Sequence, residues 1–265
     1  DKLKKDVEVI GASAITEELE LDRRKGLEIA RKMGFAIPES HEFKTFKEGM
    51  NFLKGRKELW VFKPCDNKEF TYVEKFPGEL IARMQNDSGD KCEYLLQKKI
   101  KGTEISTEVW IGKQGPKSFN HTIESKTLMD ADLGQALGSQ SSTVWIKSRD
   151  GLLTAELTRM ANYLSKEGYI GPCDANCIIA DKPYFLEWTP RFGYDALYCL
   201  LSLVKGKLSD FFTKGFGVDF YDGYAASQRL SIPPYPYGTP KLRTLYAKDV
   251  SIMGGLKDYP LFWAQ

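Results

Sequence analysis

Oxygen-bearing side chains recur two residues apart in two neighbouring strand-like runs. Asp174 and Asn176 stand in the first run, and Glu187 and Thr189 stand in the second. Because side chains alternate along a strand, the members of each pair share one face. Residues 181–183 (Asp-Lys-Pro) indicate a turn between the runs, so the two runs form a hairpin on which the four side chains can converge. Mg²⁺ prefers oxygen ligands and commonly bridges carboxylates to nucleotide phosphates, so the pattern predicts such a metal site.

Two cations and an acidic residue elsewhere in the sequence fit the same chemistry. Arg191 follows the second run, and a guanidinium there can clamp a phosphoryl group with two hydrogen bonds. Lys63 ends an apolar strand, where a lysine is usually only a solvated charge but can also meet a phosphate. From Gln97 to Glu104 a strand leads through a glycine-containing turn into the next strand. Such a turn can present backbone groups to a base and a carboxylate to ribose, although most hairpins of this kind only turn. Any one of these residues alone favours an ordinary surface hairpin, and together they predict a nucleotide site.

Helical and strand patterns alternate along the chain that must hold these residues. Helices are predicted over 22–33, 45–54, 154–166, 196–204 and 208–214, the second of them from the capping box Thr45-x-x-Glu48. Strands are predicted over 59–63, 70–73, 94–100, 105–111, 175–180 and 184–188. Because helices are interleaved with antiparallel hairpins, the predicted class is α+β rather than a doubly wound parallel sheet.

Two segments depart from this alternation. Residues 113–143 are rich in Gly, Ser and Gln and contain one weak strand near 119–123. Their length predicts a functional loop. From residue 217 the sequence turns to Tyr, Pro and Gly with short strands near 230 and 242, which predicts part of another β-rich domain.

Composition narrows the function classes. The 265 residues hold 38 Lys and Arg against 36 Asp and Glu, and this balance argues against bulk binding to nucleic acid. The two histidines count against a multi-histidine metal site or a Ser-His-Asp hydrolase, and the five cysteines without a CxxC pair are typical of reduced thiols. Without a signal peptide or an apolar run of the roughly 20 residues that a bilayer requires, we expect a soluble, cytoplasmic protein with no membrane partner. The chain begins without Met and ends in an apolar stretch, so we expect a piece of a longer chain.

Taken in order, the motifs resemble the ATP-grasp superfamily, and within it they are most similar to the phosphoribosylamine–glycine ligases. The stretches that carry the resemblance are Leu21 to Lys25, Gly34 to Pro38, Val61 to Lys63, Gly102 to Ser106, Glu124 to Lys126 and Glu187 to Gly193. The resemblance implies the ATP-grasp fold, in which two α+β subdomains clasp ATP between antiparallel sheets. It implies an N-terminal remnant or linker over 1–15, an ATP-grasp domain over 16–215 with a lid over about 55–112, and the start of a small β-rich C-terminal domain over 216–265.

The resemblance also implies roles for individual residues. Those implied to bind ATP are Lys25 and Lys63 at the phosphates, backbone groups of Lys99 and Ile100 at adenine, Glu104 at the ribose, and in addition Gln97. Those implied to hold Mg²⁺ or Mn²⁺ are Glu187, Asn176, Asp174 and Thr189. Arg191 and Lys126 would neutralise charge during phosphoryl transfer, a reaction that depends on positioning and on cations.

The implied activity is that of an ATP-dependent carboxylate–amine ligase of purine biosynthesis. An amino-acid carboxylate would attack the γ-phosphate to form an acylphosphate, and an amine would then displace phosphate to form an amide. The chain departs from the family in three places: residues 64–70 lack the glycines of the phosphate loop, residues 133–143 match the substrate loop only loosely, and Thr189 replaces a metal-binding Asn.

These departures leave two other classes open. The first is a nucleotide-binding protein of the same fold that has lost catalysis. The second is an unrelated α+β domain whose motifs match by coincidence, and a rise in melting temperature with Mg-ATP would argue against it.

Overall fold

Two antiparallel sheets form the frame of the protein. The computed structural model describes residues 9–11, 13–65, 71–86, 93–129, 136–146, 151–193, 195–231 and 235. One sheet has four strands, the other has six, and helices pack against both, which confirms the predicted α+β class. None of the helices among these residues has the length and apolar character needed to cross a membrane.

Two helices precede the first strand. α1 (Ala14–Leu21) leads directly into α2 (Arg23–Lys32), and Asp22 between them caps α2 by accepting hydrogen bonds from two backbone amides of its first turn. α2 confirms the helix predicted over 22–33, and Gly34 follows it with φ +90°, a conformation that favours glycine after a helix end. α1 has no counterpart among the predicted helices.

The four-stranded sheet, called here the small sheet, packs against two helices. It consists of β1 (Ser40–Phe43), β2 (Trp60–Pro64), β3 (Tyr72–Val73) and β4 (Tyr94–Lys98) in the spatial order β1-β4-β2-β3, with α3 (Phe46–Leu53) and α4 (Glu79–Asn86) on one face. The predicted capping box begins α3. Trp60 and Phe62 of β2 enter the core beneath these helices, so the residue that follows them, Lys63, faces the opposite side.

The six-stranded sheet, called here the large sheet, carries helices on both faces. Its strands are β5 (Thr103–Gly112), β6 (Gly115–Thr127), β7 (Ala136–Ile146), β8 (Gly171–Ile179), β9 (Pro183–Thr189) and β10 (Tyr224–Gln228) in the order β10-β7-β6-β5-β8-β9. α5 (Thr154–Lys166) covers one face, and its Leu157, Ala161 and Leu164 are buried as predicted. α6 (Asp195–Ser202) and α7 (Leu208–Thr213) cover part of the other face.

The prediction of a functional loop over 113–143 is wrong for most of that segment. Residues 115–127 and 136–146 form β6 and β7, which pair with each other inside the large sheet. These strands lack an apolar alternation because they bury hydroxyl groups: Thr122 is 2% exposed and Ser142 is 1% exposed. Strand prediction depends on that alternation, so only the weak strand predicted near 119–123, which lies within β6, was found, and β7 was missed.

The predicted domain bounds stay a prediction, and the strands near them pair as follows. β10 pairs with β7, so residues 224–228 complete the large sheet. The small sheet and its helices occupy 40–98, whereas β5, which falls within the predicted lid, pairs in the large sheet. The strand predicted near 242, most of the predicted C-terminal domain, and the departures from the family over 66–70 and 133–135 lie outside the described residues.

A β-bulge interrupts the predicted β8–β9 hairpin, which is otherwise confirmed. Asn176 pairs with Glu187, whereas the next residue of β8 pairs with Phe185, so Leu186 is an extra residue in β9. The bulge allows Phe185 and Trp188, three residues apart, to enter the same core, where their ring centroids lie 4.8 Å apart. Glu187 lies between them in sequence and faces the other side of the sheet.

Candidate functional site

A cleft between the two sheets brings together residues from both. Lys63 of β2 and Glu187 of β9 line it, and so do Glu20 of α1, Arg23 of α2 and Gln97 of β4. The two residues predicted to meet a phosphate and its metal ion from opposite sides therefore line one cavity.

Lys63 is a buried cation at the floor of this cleft. It is 7% exposed, and its ammonium donates a hydrogen bond to the backbone oxygen of the bulged residue Leu186 at 3.4 Å. Burial lowers the pKa of Lys63 to about 8, and the charge of Glu187 partly opposes this shift while that of Arg23 adds to it. A lysine whose charge is disfavoured by burial gains strongly from an anionic ligand.

Arg23, which the sequence analysis did not single out, is the second cation of the cleft. Its Nη1 lies 3.3 Å from Oε2 of Glu187, and its Nη2 donates to Oγ1 of Thr71 at 3.2 Å. The side chain thus connects α2 with the large sheet and with the residue that precedes β3. In the sequence it is only an arginine at the start of a helix, so the contact with Glu187 is the feature that reveals it.

The large sheet presents a row of polar side chains on the face that carries Glu187. Directly opposed residues form two ladders across β9, β8, β5 and β6. The first ladder is Glu187, Asn176, Ser106 and Thr122, and the second is Thr189, Asp174, Glu108 and Asn120. These eight residues are called here the polar stripe. It contains all four residues that were implied to hold a metal ion.

Two buried oxygens of the polar stripe make the metal assignment physically reasonable. Oδ1 of Asp174 and Oδ1 of Asn176 have no hydrogen-bond partner among the described residues, and the two residues are 9% and 4% exposed. An unpaired buried oxygen is costly unless a ligand meets it. Mg²⁺ is usually held by one or two protein carboxylates and by phosphate oxygens, so Glu187 and the opposed Asn176 fit this ion.

A metal site built from protein ligands alone has no support in the described ranges. In those ranges no three His, Cys, Asp or Glu side chains gather into a cluster that could hold a metal ion.

Glu108 and Asp174 are facing carboxyl groups within the polar stripe. Burial raises the pKa of Glu108 to about 8, although hydrogen bonds from Trp110 and Asn120 oppose the shift. Burial also raises the pKa of Asp174 well above its usual range, and the charge of Glu108 adds to this. Glu108 was not among the predicted site residues, yet its spacing from Glu104 along β5 puts the two on the same face.

Lys126 lies among carboxylates beside the cleft. Its ammonium makes an ion pair with Glu104 and lies 3.8 Å from Oε2 of Glu124. Burial acts to lower the pKa of Lys126, but Glu104, Glu124 and Glu187 together raise it above its ordinary value. The charges of Lys126 and Glu104 also act on Lys63, so the predicted catalytic lysine and the predicted ribose carboxylate belong to the same electrostatic cluster.

The two other predicted cations are held by α1. Nε of Arg191 donates to Glu20 at 3.0 Å, and Nη2 of Arg191 lies 2.8 Å from the same carboxylate. Lys25 makes an ion pair with Glu18, whose hydrogen bond raises the pKa of Lys25. Because Glu20 lines the cleft, Arg191 lies at the border of the site, whereas Lys25 points to a partner outside it.

The segment predicted to hold adenine connects the two sheets. Gln97 is buried, lines the cleft and donates a side-chain hydrogen bond to β1. Lys99 donates its backbone N–H to the oxygen of Leu59 at 2.8 Å and its ammonium to the backbone oxygen of Glu74 at 2.9 Å. These bonds anchor the connection from β4 to β5, in which Ile100 lies.

Solved structures with a similar fold are enzymes. Phosphoribosylamine–glycine ligase from Thermotoga maritima has a TM-score of 0.68 and 19% identity, over 86% of this chain and 63% of its own. N5-carboxyaminoimidazole ribonucleotide synthetase from Thermus thermophilus has a TM-score of 0.58 and 13% identity, over 88% of this chain and 64% of its own. D-alanine–D-alanine ligase from Bacillus anthracis, complexed with ATP, has a TM-score of 0.50 and 16% identity, over 81% of this chain and 72% of its own.

The comparisons establish the fold. The chain spans less than two thirds of the length of the first two structures. No protein-family model matches the sequence, and no curated protein matches it. At these low identities the structural likeness shows the fold alone, and this fold is the one that the motif resemblance implies.

Proposed function

We propose that this chain is an ATP-dependent ligase that joins a carboxylate to an amine. The observation that carries the proposal is the cleft that Lys63 of the small sheet and Glu187 of the large sheet both line. A buried cation on one side and a carboxylate beside unpaired oxygens on the other suit a triphosphate and its metal ion. The D-alanine–D-alanine ligase of similar fold was solved in complex with ATP, which supports a nucleotide ligand here.

The proposed nucleotide site crosses the connection between the sheets. The residues assigned to it are Gln97, Lys99 and Ile100 at adenine, Glu104 at the ribose, and Lys63 at the phosphates. The burial of Lys63 supports its role, because phosphate oxygens would supply the interactions that burial removes. Lys25 reaches the phosphates only if it leaves Glu18, so we assign it the smaller part.

Glu187 and Asn176 would hold Mg²⁺ or Mn²⁺, with Asp174 and Thr189 beside them. When bound, the ion neutralises negative charge on the phosphates. The hydroxyl of Thr189 is a weaker ligand than the amide of the motif it resembles, and Asp174, directly opposite on β8, offers a compensating oxygen.

The proposed reaction has two displacements. A carboxylate oxygen of the first substrate attacks the γ-phosphorus of ATP, the bond to the β,γ-bridging oxygen breaks, and ADP leaves an acylphosphate behind. The nitrogen of the amine then attacks the acyl carbon, phosphate leaves with the electrons of the C–O bond, and the nitrogen gives a proton to water to form the amide. Lys126 and Arg191 stabilise the charge on the transferred phosphoryl oxygens.

We assign the carboxylate to an amino acid and the acceptor to a small amine. Two of the similar structures are, by name, ligases of glycine and of D-alanine, which supports this substrate class. Phosphoribosylamine as acceptor, and with it a role in purine biosynthesis, is the finer form of the proposal. Thr189 favours one other function, a nucleotide-binding protein of the same fold without catalysis.

Phosphate release with a panel of amino acids and amines tests the proposal. We expect stimulated, ATP-dependent release by the wild type and at least about 100-fold less by Glu187→Gln, because charge stabilisation at the phosphates is lost. Glu28→Gln is the matched control, since Glu28 pairs with Lys32 on the exposed side of α2 and should leave turnover unchanged.

Thermal melting with Mg-ATP distinguishes the two candidate functions. A rise in melting temperature without stimulated turnover for any pair of substrates favours the binding protein. No rise and no turnover would overturn both, since a ligand that binds the folded state must stabilise it.

A further inference from the structure

We propose that Arg23 is a phosphate-binding residue that exchanges Glu187 for the nucleotide. The inference rests on the proposed function and adds to it a binding residue that neither the motifs nor the family resemblance assigns. In this structure the guanidinium is paired with Glu187, the same carboxylate that the proposed function gives to the metal ion. When Glu187 turns to the ion, Arg23 loses its partner and gains a phosphate oxygen.

Arg23 shares the cleft with the residues that the proposed function assigns to the phosphates and the metal ion. It is the first residue of α2 and lines the cleft together with Lys63 and Glu187. Its other contact, Thr71, follows residues 66–70, which take the place of a glycine-rich phosphate loop. Arg23 therefore bonds to the large sheet through Glu187 and to the residue before β3 through Thr71.

The hydrogen-bonding capacity of Arg23 is only partly used. A guanidinium has five N–H donors, and the described contacts are single bonds to Glu187 and Thr71 at 3.3 and 3.2 Å. Its Nε is buried and has no partner among the described residues. The side chain is 19% exposed, so the remaining donors face a confined space. A phosphate, with several acceptor oxygens, can satisfy donors that one carboxylate leaves unpaired.

The charges of the cleft also favour an anion near Arg23. The charge of Arg23 lowers the pKa of Lys63, which shows that the two cations repel each other across the cleft. Among the described carboxylates only Glu187 pairs with Arg23, and its own side chain is 46% exposed, so this carboxylate is free to turn away. An anion with more than one charge, placed between the two cations, would relieve the repulsion that remains when Glu187 leaves.

The sequence gives a reason why a side chain, rather than backbone amides, would bind the phosphates. Residues 64–70 contain no glycine, the residue type that lets backbone amides of a phosphate loop approach a phosphate closely. A guanidinium that projects from α2 supplies fixed, planar donors from the other wall of the cleft instead. The arginine and the absent glycines are therefore two parts of one arrangement.

Calorimetric titration with AMP, ADP and ATP, each with Mg²⁺, tests the inference. Relative to the wild type, Arg23→Gln should weaken ADP and ATP binding by about 10–100-fold, the value of charge-assisted hydrogen bonds, and should change AMP binding by less than about twofold. Arg23→Lys should recover part of the loss. Arg24→Gln is the matched control, because Arg24 is the next residue of α2 and pairs with Glu93 at 2.7 Å on an exposed surface.

A second titration, with EDTA in place of Mg²⁺, examines the exchange itself. Glu187→Gln should tighten metal-free ATP binding by about 3–10-fold because it releases Arg23, and the gain should disappear in the double variant with Arg23→Gln. Equal loss of AMP and ATP binding in Arg23→Gln, or unchanged ATP binding, would overturn the inference and leave the proposed function intact. Failure of the wild type to bind any adenine nucleotide would overturn both.

Discussion

The two faces of the large sheet are built from the same strands by opposite rules. Along β8, Cys173, Ala175 and Cys177 are fully buried in the apolar core beneath α5, whereas Asp174 and Asn176 between them belong to the polar stripe. One face buries groups that need no partner, and the other buries oxygens that lack one among the described residues. Because alternation assigns each residue to one face, the sheet can separate the residues that stabilise it from the residues that bind.

The comparison predicts that substitutions on the apolar face cost the most stability. Leu157→Ala should lower the free energy of unfolding by about 2–5 kcal/mol, because Leu157 is 0% exposed and its removal leaves a cavity in the core. Thermal and chemical denaturation measure the loss. Leu152→Ala, at a residue that is 37% exposed, is the control and should cost far less. Equal losses of unfolding free energy at the two positions would mean that the core beneath α5 is not what stabilises the sheet.

On the polar face, substitution of a buried carboxyl group should instead raise stability, and only at higher pH. Burial raises the pKa of Glu108 from its ordinary 4.5 to about 8, so the folded state binds a proton more tightly than the unfolded state, and stability falls as the pH rises between these values. Glu108→Gln removes this titration. After allowance for solvent screening, we expect the variant to be more stable than the wild type by roughly 2–4 kcal/mol at pH 8 and similar to it at pH 4.5.

Urea denaturation of both proteins across this pH range is the measurement for Glu108. Glu124→Gln gives a comparison on the same face, because Lys126 partly offsets the raised pKa of Glu124 and the gain should be smaller. A constant difference between Glu108→Gln and the wild type at every pH would contradict the account of buried carboxyl groups.

Adjacent residues of β8 offer the sharpest contrast between the faces. Asn176→Ala removes a buried amide whose oxygen is unpaired among the described residues, so the free energy of unfolding should change by about 1 kcal/mol or less. The affinity for Mg-ATP should fall at least about tenfold, because a proposed metal ligand is lost. Cys177→Ala should show the reverse, a loss of about 1 kcal/mol with unchanged affinity. Melting curves and calorimetry on the two variants suffice. Parallel behaviour of the pair would show that the faces are not independent.

The smallest effect is expected at Lys25. Its partner Glu18 is on α1 and its side chain is partly exposed, so Lys25→Ala should leave the melting temperature unchanged. Mg-ATP affinity should fall by less than about threefold, because such a surface pair contributes little and Lys25 does not line the cleft. A loss as large as that of Arg23→Gln would restore to Lys25 the phosphate role that the resemblance implies.

Local patterns were sufficient for most of the fold. The caps at Asp22 and Thr45, the apolar stripe of α5 and the turn at 181–183 each predict an element from a few neighbouring residues. The sequence did not predict α1, because Leu19 is its one buried apolar residue and the periodic signal is therefore weak. β7 and all of β6 but the part near 119–123 were not predicted, because these strands bury polar groups that only their pairing within the sheet explains.

The residues of the candidate site likewise fall into those that local patterns predict and those that they do not. The i, i+2 spacing in β8 and β9 predicts which oxygens share a face, and Lys63 follows from the end of an apolar strand. Arg23 could not be predicted, because its partner Glu187 is 164 residues away in the sequence and no local pattern records that contact. Sequence spacing reveals residues that act with their neighbours along the chain, and tertiary structure is needed for the others.

The bulge at Leu186 makes the length of β9 more critical than its composition. Deletion of this one residue would let the hairpin pair regularly, with Phe185 and Trp188 then two residues apart and still on one side of the sheet. It would also remove the carbonyl to which Lys63 donates. Substitutions at 186 should therefore be tolerated where deletion of the residue is not, and a gap at this point in an alignment marks a relative whose buried lysine has a different acceptor.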